Sequence, residues 1–111
     1  MNNVINRLLI ENLWALIKED KPVFIMFYAK WCPHCRKMFP IVEKLENNKD
    51  LLFVCYDIDE KVNRRLLEYY KVQAVPLMIV YKSGEQLWRW NGEMTEPALM
   101  QTMERFCQLI K

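Results

Sequence analysis

The feature of this 111-residue chain that most constrains its fold is a pair of cysteines, Cys32 and Cys35, just after a long apolar run. That run, Val23 to Ala29, is rich in β-forming residues and predicts a buried strand. The residues from Pro33 onwards have the spacing of an amphipathic helix. Two cysteines separated by two residues, where a strand passes into a helix, are typical of a redox-active pair.

The position of the pair also assigns different roles to the two sulfurs. A helix that begins at Pro33 directs free backbone N–H groups and the positive end of its dipole at Cys32, and both favour a thiolate there. We therefore expect Cys32 to be the attacking thiolate and Cys35 to be the thiol that resolves the mixed disulfide. The Cys32–Cys35 disulfide would be the redox group itself, with no bound cofactor.

The other two cysteines have ordinary structural interpretations. Cys55 lies in the middle of a predicted strand and Cys107 in the last predicted helix, where a free cysteine behaves as a small hydrophobic residue. A role for Cys55 as a third redox thiol stays open. A Cys-x-x-Cys knuckle is also half of a zinc site, but the chain has no second such pair, so no metal is expected and zinc binding is the weaker alternative.

Composition limits the remaining classes of function. With 52% apolar residues the chain can build one core, and residues 1–111 are expected to form a single domain. The net charge of +2 gives no reason to expect nucleic acid or an anionic membrane as a partner. The longest apolar run is far shorter than the roughly 20 residues of a spanning helix. We expect a cytoplasmic monomer, or an exported one if an N-terminal signal has been removed.

The hydrophobic pattern predicts an α/β domain with alternating elements. The first two predicted strands are joined by a helix and should run parallel, whereas the last two form an antiparallel hairpin. The expected architecture is a mixed four-stranded sheet with helices on both faces. The predicted elements are a helix over Asn3–Lys18, the strand Val23–Ala29, a helix over Pro33–Asn48 kinked at Pro40, the strand Leu51–Asp57, a helix over Lys61–Tyr70 capped by Asp59, the hairpin strands Leu77–Tyr81 and Gln86–Trp90, and a last helix from Thr95 with Leu99, Met103, Phe106 and Ile110 on its core face.

Several motifs in register resemble the thioredoxin superfamily over nearly the full length of the chain. They are Trp31-Cys32-x-x-Cys35 after a strand, Pro40 in the next helix, Val75-Pro76 before a strand, Ser83-Gly84-Glu85 in the hairpin and Gly92 before the last helix. The resemblance implies the thioredoxin fold and a cis peptide bond before Pro76, beside the cysteines. It also implies that Val75 offers its backbone groups to an extended substrate segment. Trp31, Val75, Pro76 and Gly92 would together bind substrate.

The dipeptide between the cysteines, Pro33-His34, resembles that of the oxidising, DsbA-type members rather than the Gly-Pro of ordinary thioredoxins. On the first helical turn, His34 is expected to donate to the Cys32 thiolate or to attract it when charged. Pro33 and His34 would thus tune the acidity of Cys32 and stabilise the reduced form, which makes the disulfide a stronger oxidant. The plain alternative is a solvated histidine without electronic effect.

Two departures from the family limit what the resemblance carries over. Met26 stands where thioredoxins keep a buried acid, and Cys55 stands where many have its lysine partner. The segment between Asp57 and Ala74 is too short for the helical domain that DsbA-type proteins insert, so their membrane partner is not implied.

These observations predict a thiol–disulfide oxidoreductase that exchanges its Cys32–Cys35 pair with protein thiols and disulfides. A reductase or an oxidase would recycle it. Pro33-His34 favours an oxidant or isomerase, whereas the small domain favours a reductase. The alternative from another class is a non-catalytic thioredoxin-like module that binds partners through the Val75-Pro76 edge.

Overall fold

The computed structural model describes residues 5–6, 17–18, 20–48 and 50–108. The described elements are β1 (Ile5–Asn6), β2 (Val23–Tyr28), α1 (Pro33–Glu43), a 3₁₀ turn (Lys44–Asn47), β3 (Leu52–Asp57), a second 3₁₀ turn (Lys61–Asn63), α2 (Arg64–Tyr69), β4 (Leu77–Lys82), β5 (Glu85–Asn91) and α3 (Glu96–Gln108). The strands form one sheet in the order β1-β3-β2-β4-β5. The predicted mixed four-stranded sheet is confirmed, and β1 extends it at one edge.

The sheet is covered on both faces, which explains why the central strands are continuously apolar. Alternate side chains of β2 enter two separate cores. One core packs β2 and its neighbours against α1 and α3, and it includes Phe24, Met38 and Leu99. The other packs the opposite face against α2, and it includes Phe27 and Leu66.

The strand directions agree with the sequence prediction. β2 runs parallel to β3 and antiparallel to β4, and β4 and β5 form the antiparallel hairpin. In this register Met26 lies opposite Cys55 on one side and Met78 on the other, and all three are buried. Met26 and Cys55, which the resemblance matches to a buried acid and its lysine partner, are therefore adjacent and lie in one apolar core.

The predicted first helix is wrong at its start. Ile5 and Asn6 form β1, which pairs in parallel with β3 opposite Val54 and Cys55. The physical reason is that β3 would otherwise present unpaired backbone groups at the sheet edge. Ile17 is helical and buried. Residues 7–16 of the predicted helix, Trp14 among them, lie outside the described residues, as do Lys49 and Ile110, the latter predicted on the core face of the last helix.

The predicted Asp59 cap is also wrong. Residues 61–63 form a 3₁₀ turn, so α2 starts only at Arg64, and the residues that precede the two segments, Glu60 and Asn63, make no side-chain cap. The backbone N–H of Asp59 donates instead to the carboxylate of Asp57, and its own carboxylate accepts the indole N–H of Trp31.

The helix predicted over Pro33–Asn48 is α-helical only to Glu43 and continues as a 3₁₀ turn. Pro40 lies inside α1, and the kink there stays a prediction. In the ranges described above, no helix is both long enough and apolar enough to cross a membrane.

Candidate active site

Cys32 lies where β2 ends and α1 begins. Its backbone N–H donates to the carbonyl of Ala29 at 3.2 Å, which turns the chain out of the strand. Cys32 is the N-cap residue of α1, and its Sγ accepts the backbone N–H of Cys35 at 3.3 Å. Sulfur thus takes the position in which a serine oxygen usually satisfies a free N–H of the first turn. Since this donor and the helix dipole both favour negative charge, they stabilise a thiolate at Cys32.

Cys35 lies in a different environment, although the two sulfurs belong to one turn. Its side chain is fully buried beside Ala29, Phe39 and Val75. Burial first, and then the hydrogen bond with Cys32, raise the pKa of the Cys35 thiol to about 12. Cys35 therefore stays protonated at neutral pH. The two sulfurs therefore differ: that of Cys32 accepts a backbone N–H at the start of α1, whereas that of Cys35 is held as a neutral thiol.

The segment before β4 brings a third element to the site. The Val75–Pro76 peptide bond is cis, as the resemblance predicted. The carbonyl oxygen of Val75 lies 3.8 Å from the Sγ of Cys32, within the range in which a thiol donates to oxygen. Gly92 donates its N–H to the carbonyl of Pro76 at 2.9 Å, with a φ of +99° that glycine adopts readily. Val75, Pro76 and Gly92 are thus brought together beside the cysteines.

An open groove of about 410 Å³ lies next to Cys32. Its walls come from three parts of the chain and are mainly apolar; they include Trp31, Pro33, Ile58, Leu67, Val72 and Val75. Trp31 is 61% exposed, and a 2.8 Å hydrogen bond from its indole N–H to Asp59 orients it. A groove of this shape, beside the sulfur of Cys32 and the backbone of Val75, can receive an extended peptide segment.

His34 makes a contact that the sequence did not predict. It also lines the groove, but its Nδ1 forms a hydrogen bond with the carboxylate of Glu93. The Nζ of Lys37 lies 3.9 Å from the same carboxylate oxygen. The hydrogen bond with His34, and then the charge of Lys37, lower the pKa of Glu93, so this residue is ionised at neutral pH. The only hint in the sequence was that Glu93 follows Gly92.

The other tryptophans have different roles. Trp88 packs against Phe24 and Phe106 at the edge of the core. Trp90 is partly exposed, and its indole N–H donates to the backbone carbonyl of Glu93 at 3.2 Å. Trp90 therefore belongs to the surroundings of the site, because it supports the loop that carries Glu93.

The two remaining cysteines lie in the core formed with α1 and α3. Cys55 lies on β3, and Cys107 on α3 accepts a hydrogen bond from the amide of Asn48 at 3.2 Å. All four cysteines of the chain carry free thiols in this structure. Over the described ranges, no group of three or more histidine, cysteine or acidic side chains is arranged to hold a metal ion.

The fold and this site define a thioredoxin-fold protein with a Cys-x-x-Cys pair at a helix N-terminus, and comparison with known proteins agrees. Residues 7–105 match the thioredoxin family model. The chain therefore belongs to the thioredoxin family.

Individual relatives and solved structures support this assignment. The chain is 37% identical over 90 residues to thioredoxin Y1, chloroplastic, of Arabidopsis thaliana, a match that covers 80% of this chain and 52% of the relative. A mutant thioredoxin from Halobacterium salinarum superimposes with a TM-score of 0.82 at 29% identity, covering 93% of this chain and 89% of that one. Mitochondrial thioredoxin 3 of Saccharomyces cerevisiae gives 0.78 at 27% identity, covering 92% and 94%. The chain spans about half the length of the first curated relatives it matches.

Proposed function

We propose that the protein is a thiol–disulfide oxidoreductase that acts on protein substrates. The observation that carries the proposal is the asymmetry of the pair. Cys32 caps α1 beside the groove and accepts a backbone N–H, whereas Cys35 is fully buried with a raised thiol pKa. Membership of the thioredoxin family supports the same activity. A structural pair of thiols would not need one sulfur at the mouth of an apolar groove.

In the reducing direction, the thiolate of Cys32 attacks one sulfur of a substrate disulfide. A mixed disulfide forms, and the other substrate sulfur leaves as a thiolate that takes up a proton. Cys35 then loses its proton and attacks the sulfur of Cys32. The substrate's second thiol is released, and the Cys32–Cys35 disulfide remains. The cysteine pair has given two electrons to the substrate, whose two sulfurs take up the proton of Cys35 and one proton from solvent. The reverse sequence oxidises a substrate dithiol.

The groove and Val75 would hold the substrate during this exchange. An extended segment can place its backbone along Val75, while Trp31 and Ile58 cover its apolar side chains. The partners we propose are therefore protein thiols and disulfides, together with a reductase or oxidase that recycles the pair. The cytoplasmic location and the monomeric state stay predictions.

We further propose that the couple is more oxidising than ordinary thioredoxin, because Pro33 and His34 lie between the cysteines. Thioredoxin has a reduction potential of about −270 mV and DsbA of about −120 mV. A histidine in the first turn of α1 stabilises the reduced form. We expect a value between these two limits, which equilibration with glutathione measures. A value at or below that of thioredoxin would contradict the role given to His34.

The activity itself is tested by trapping. In Cys35→Ser the mixed disulfide forms on Cys32 but cannot be resolved, so the variant should accumulate a covalent complex with a disulfide-bonded protein such as insulin. The matched control, Cys32→Ser combined with Cys35→Ser, should accumulate none. Formation of the complex by the double variant would place the reactive thiol elsewhere, and its absence in both would favour a non-catalytic binding module.

A further inference from the structure

We propose that Glu93 is a positioning residue that lowers the reduction potential of the Cys32–Cys35 couple by engaging His34. This inference rests on the function proposed above and names a residue that would adjust the reduction potential of the same site. The carboxylate of Glu93 is hydrogen bonded to Nδ1 of His34, two residues along the chain from Cys32. The sequence predicts that His34 interacts with the Cys32 thiolate, but His34 also interacts with the negative charge of Glu93.

Three hydrogen bonds fix the loop that carries Glu93, and so they fix its contact with His34. Gly92 donates its N–H to the carbonyl of Pro76 at 2.9 Å, and Trp90 donates its indole N–H to the carbonyl of Glu93 at 3.2 Å. The N–H of Met94 donates to the sulfur of Met38, which is buried on α1. The backbone on both sides of Glu93 is thus anchored to the cis-proline segment and to the helix that carries His34.

The contact with Glu93 leaves His34 less able to stabilise the Cys32 thiolate, and this sets the sign of the change in reduction potential. When the imidazole is protonated, the carboxylate offsets its positive charge. When the imidazole is neutral, its Nδ1 proton is donated to Glu93. In both states less charge or donor capacity is left for the thiolate of Cys32. A less stable thiolate means a less stable reduced form, and hence a lower reduction potential.

Among the described residues, Glu93 is the acidic residue that contacts His34, whereas the carboxylate of Asp59 accepts the indole N–H of Trp31. The Nζ of Lys37 lies 3.9 Å from the carboxylate of Glu93, whereas the Nζ of Lys30 lies 4.0 Å from that of Asp57. The side chain of Arg36 donates to the backbone carbonyl of Lys30. A basic residue close to a cysteine favours its thiolate, and Glu93 would oppose such an effect at His34. Because the side chain of His34 is 64% exposed, solvent screens the effect and keeps it modest.

The test is the equilibrium of the protein with glutathione. Protein disulfide and two glutathione molecules give protein dithiol and one glutathione disulfide. Glu93→Gln keeps the size of the side chain and removes its charge, so it should shift this equilibrium three- to tenfold towards the dithiol. That corresponds to about 15–30 mV for a two-electron couple. Alkylation of Cys32 by iodoacetamide at neutral pH should become faster in the same variant. Glu93→Ala must shift the equilibrium in the same direction.

A charge-matched control is Glu96→Gln. Glu96 pairs with Lys44 at 2.7 Å, beyond the C-terminal end of α1 and so far along the helix from Cys32. This variant should change the equilibrium clearly less than Glu93→Gln does. An equal shift in the two variants would show that any lost negative charge suffices, and would overturn the proposal.

The pathway through His34 is tested by a double-mutant cycle. In a His34→Ala background, Glu93→Gln should no longer move the equilibrium. The proposal fails if the shift is unchanged in that background, or if Glu93→Gln has no effect or the opposite effect in the wild type. Failure of the function is a separate outcome, in which the wild-type Cys32–Cys35 pair does not exchange with glutathione at all.

Discussion

The chain has two pairs of cysteines that burial alone does not distinguish. Cys32 and Cys35 are 4% and 0% exposed, and Cys55 and Cys107 are 2% and 7% exposed. The difference lies in their neighbours. Cys32 accepts a backbone N–H at the start of α1 and borders an open groove, whereas Cys55 and Cys107 lie among the apolar side chains of one core.

From this comparison we expect the position of a cysteine relative to the backbone, and not its exposure, to decide whether it is reactive in this fold. A helix N-terminus provides N–H donors that favour the thiolate. The middle of β3 offers no such donors, because its N–H groups are used in the sheet. A buried cysteine there packs as a small apolar residue.

The largest expected effect is on activity. Cys32→Ala should abolish exchange with protein disulfides, because no other thiol both borders the groove and is favoured as a thiolate. Cys107→Ala should keep the wild-type rate and lose about 1 kcal/mol of stability, as is typical of a buried substitution. Insulin reduction, followed by turbidity, measures the first quantity, and urea unfolding measures the second. Comparable activity loss in the two variants would remove the distinction between the pairs.

A second substitution tests the apolar surroundings of Cys55. Met26 lies opposite Cys55 in the sheet and is fully buried, at the position where the family resemblance led us to expect an acid. Met26→Asp should cost about 3 kcal/mol or more, because the described surroundings offer a carboxyl group no basic partner. Met26→Leu, which nearly conserves volume, should cost less than about 1.5 kcal/mol. Similar unfolding free energies for the two variants would mean that polar partners exist at this position.

The third and smallest effect is on alkaline stability. The pKa of the Cys35 thiol is raised from its usual 9.0 to about 12 in the folded state. An unfolded chain therefore loses this proton first, so the stability held by the neutral thiol is complete below about pH 9 and falls as the pH rises towards 12. Burial raises the pKa of Tyr56 and of Tyr70, which adds to the fall. Urea unfolding of the reduced protein at pH 7 and pH 10 should show a smaller decline in Cys35→Ala, and an identical decline would contradict the assignment.

The sequence predicted much of the fold because its strongest signals are local. The continuous apolar run of β2 reflects burial on both faces, and the hairpin of β4 and β5 follows from its Ser83-Gly84 turn, where both residues have positive φ. The prediction was wrong where pairing or packing from elsewhere decided. Ile5 and Asn6 belong to a segment whose apolar spacing predicts a helix, but they pair with the edge of β3 as a strand.

In the candidate site, too, some features follow from the local sequence and others depend on the tertiary structure. The sequence by itself determined that Cys32 and Cys35 lie close together, because the two need only one strand end and one helix start to meet. It also placed Pro33, His34, Trp31 and Val75-Pro76 at the site, in part through family resemblance. Only the tertiary structure decided that His34 contacts Glu93, 59 residues away along the chain. No local pattern encodes a contact between a helix start and a distant loop, because it depends on how the sheet brings the two together.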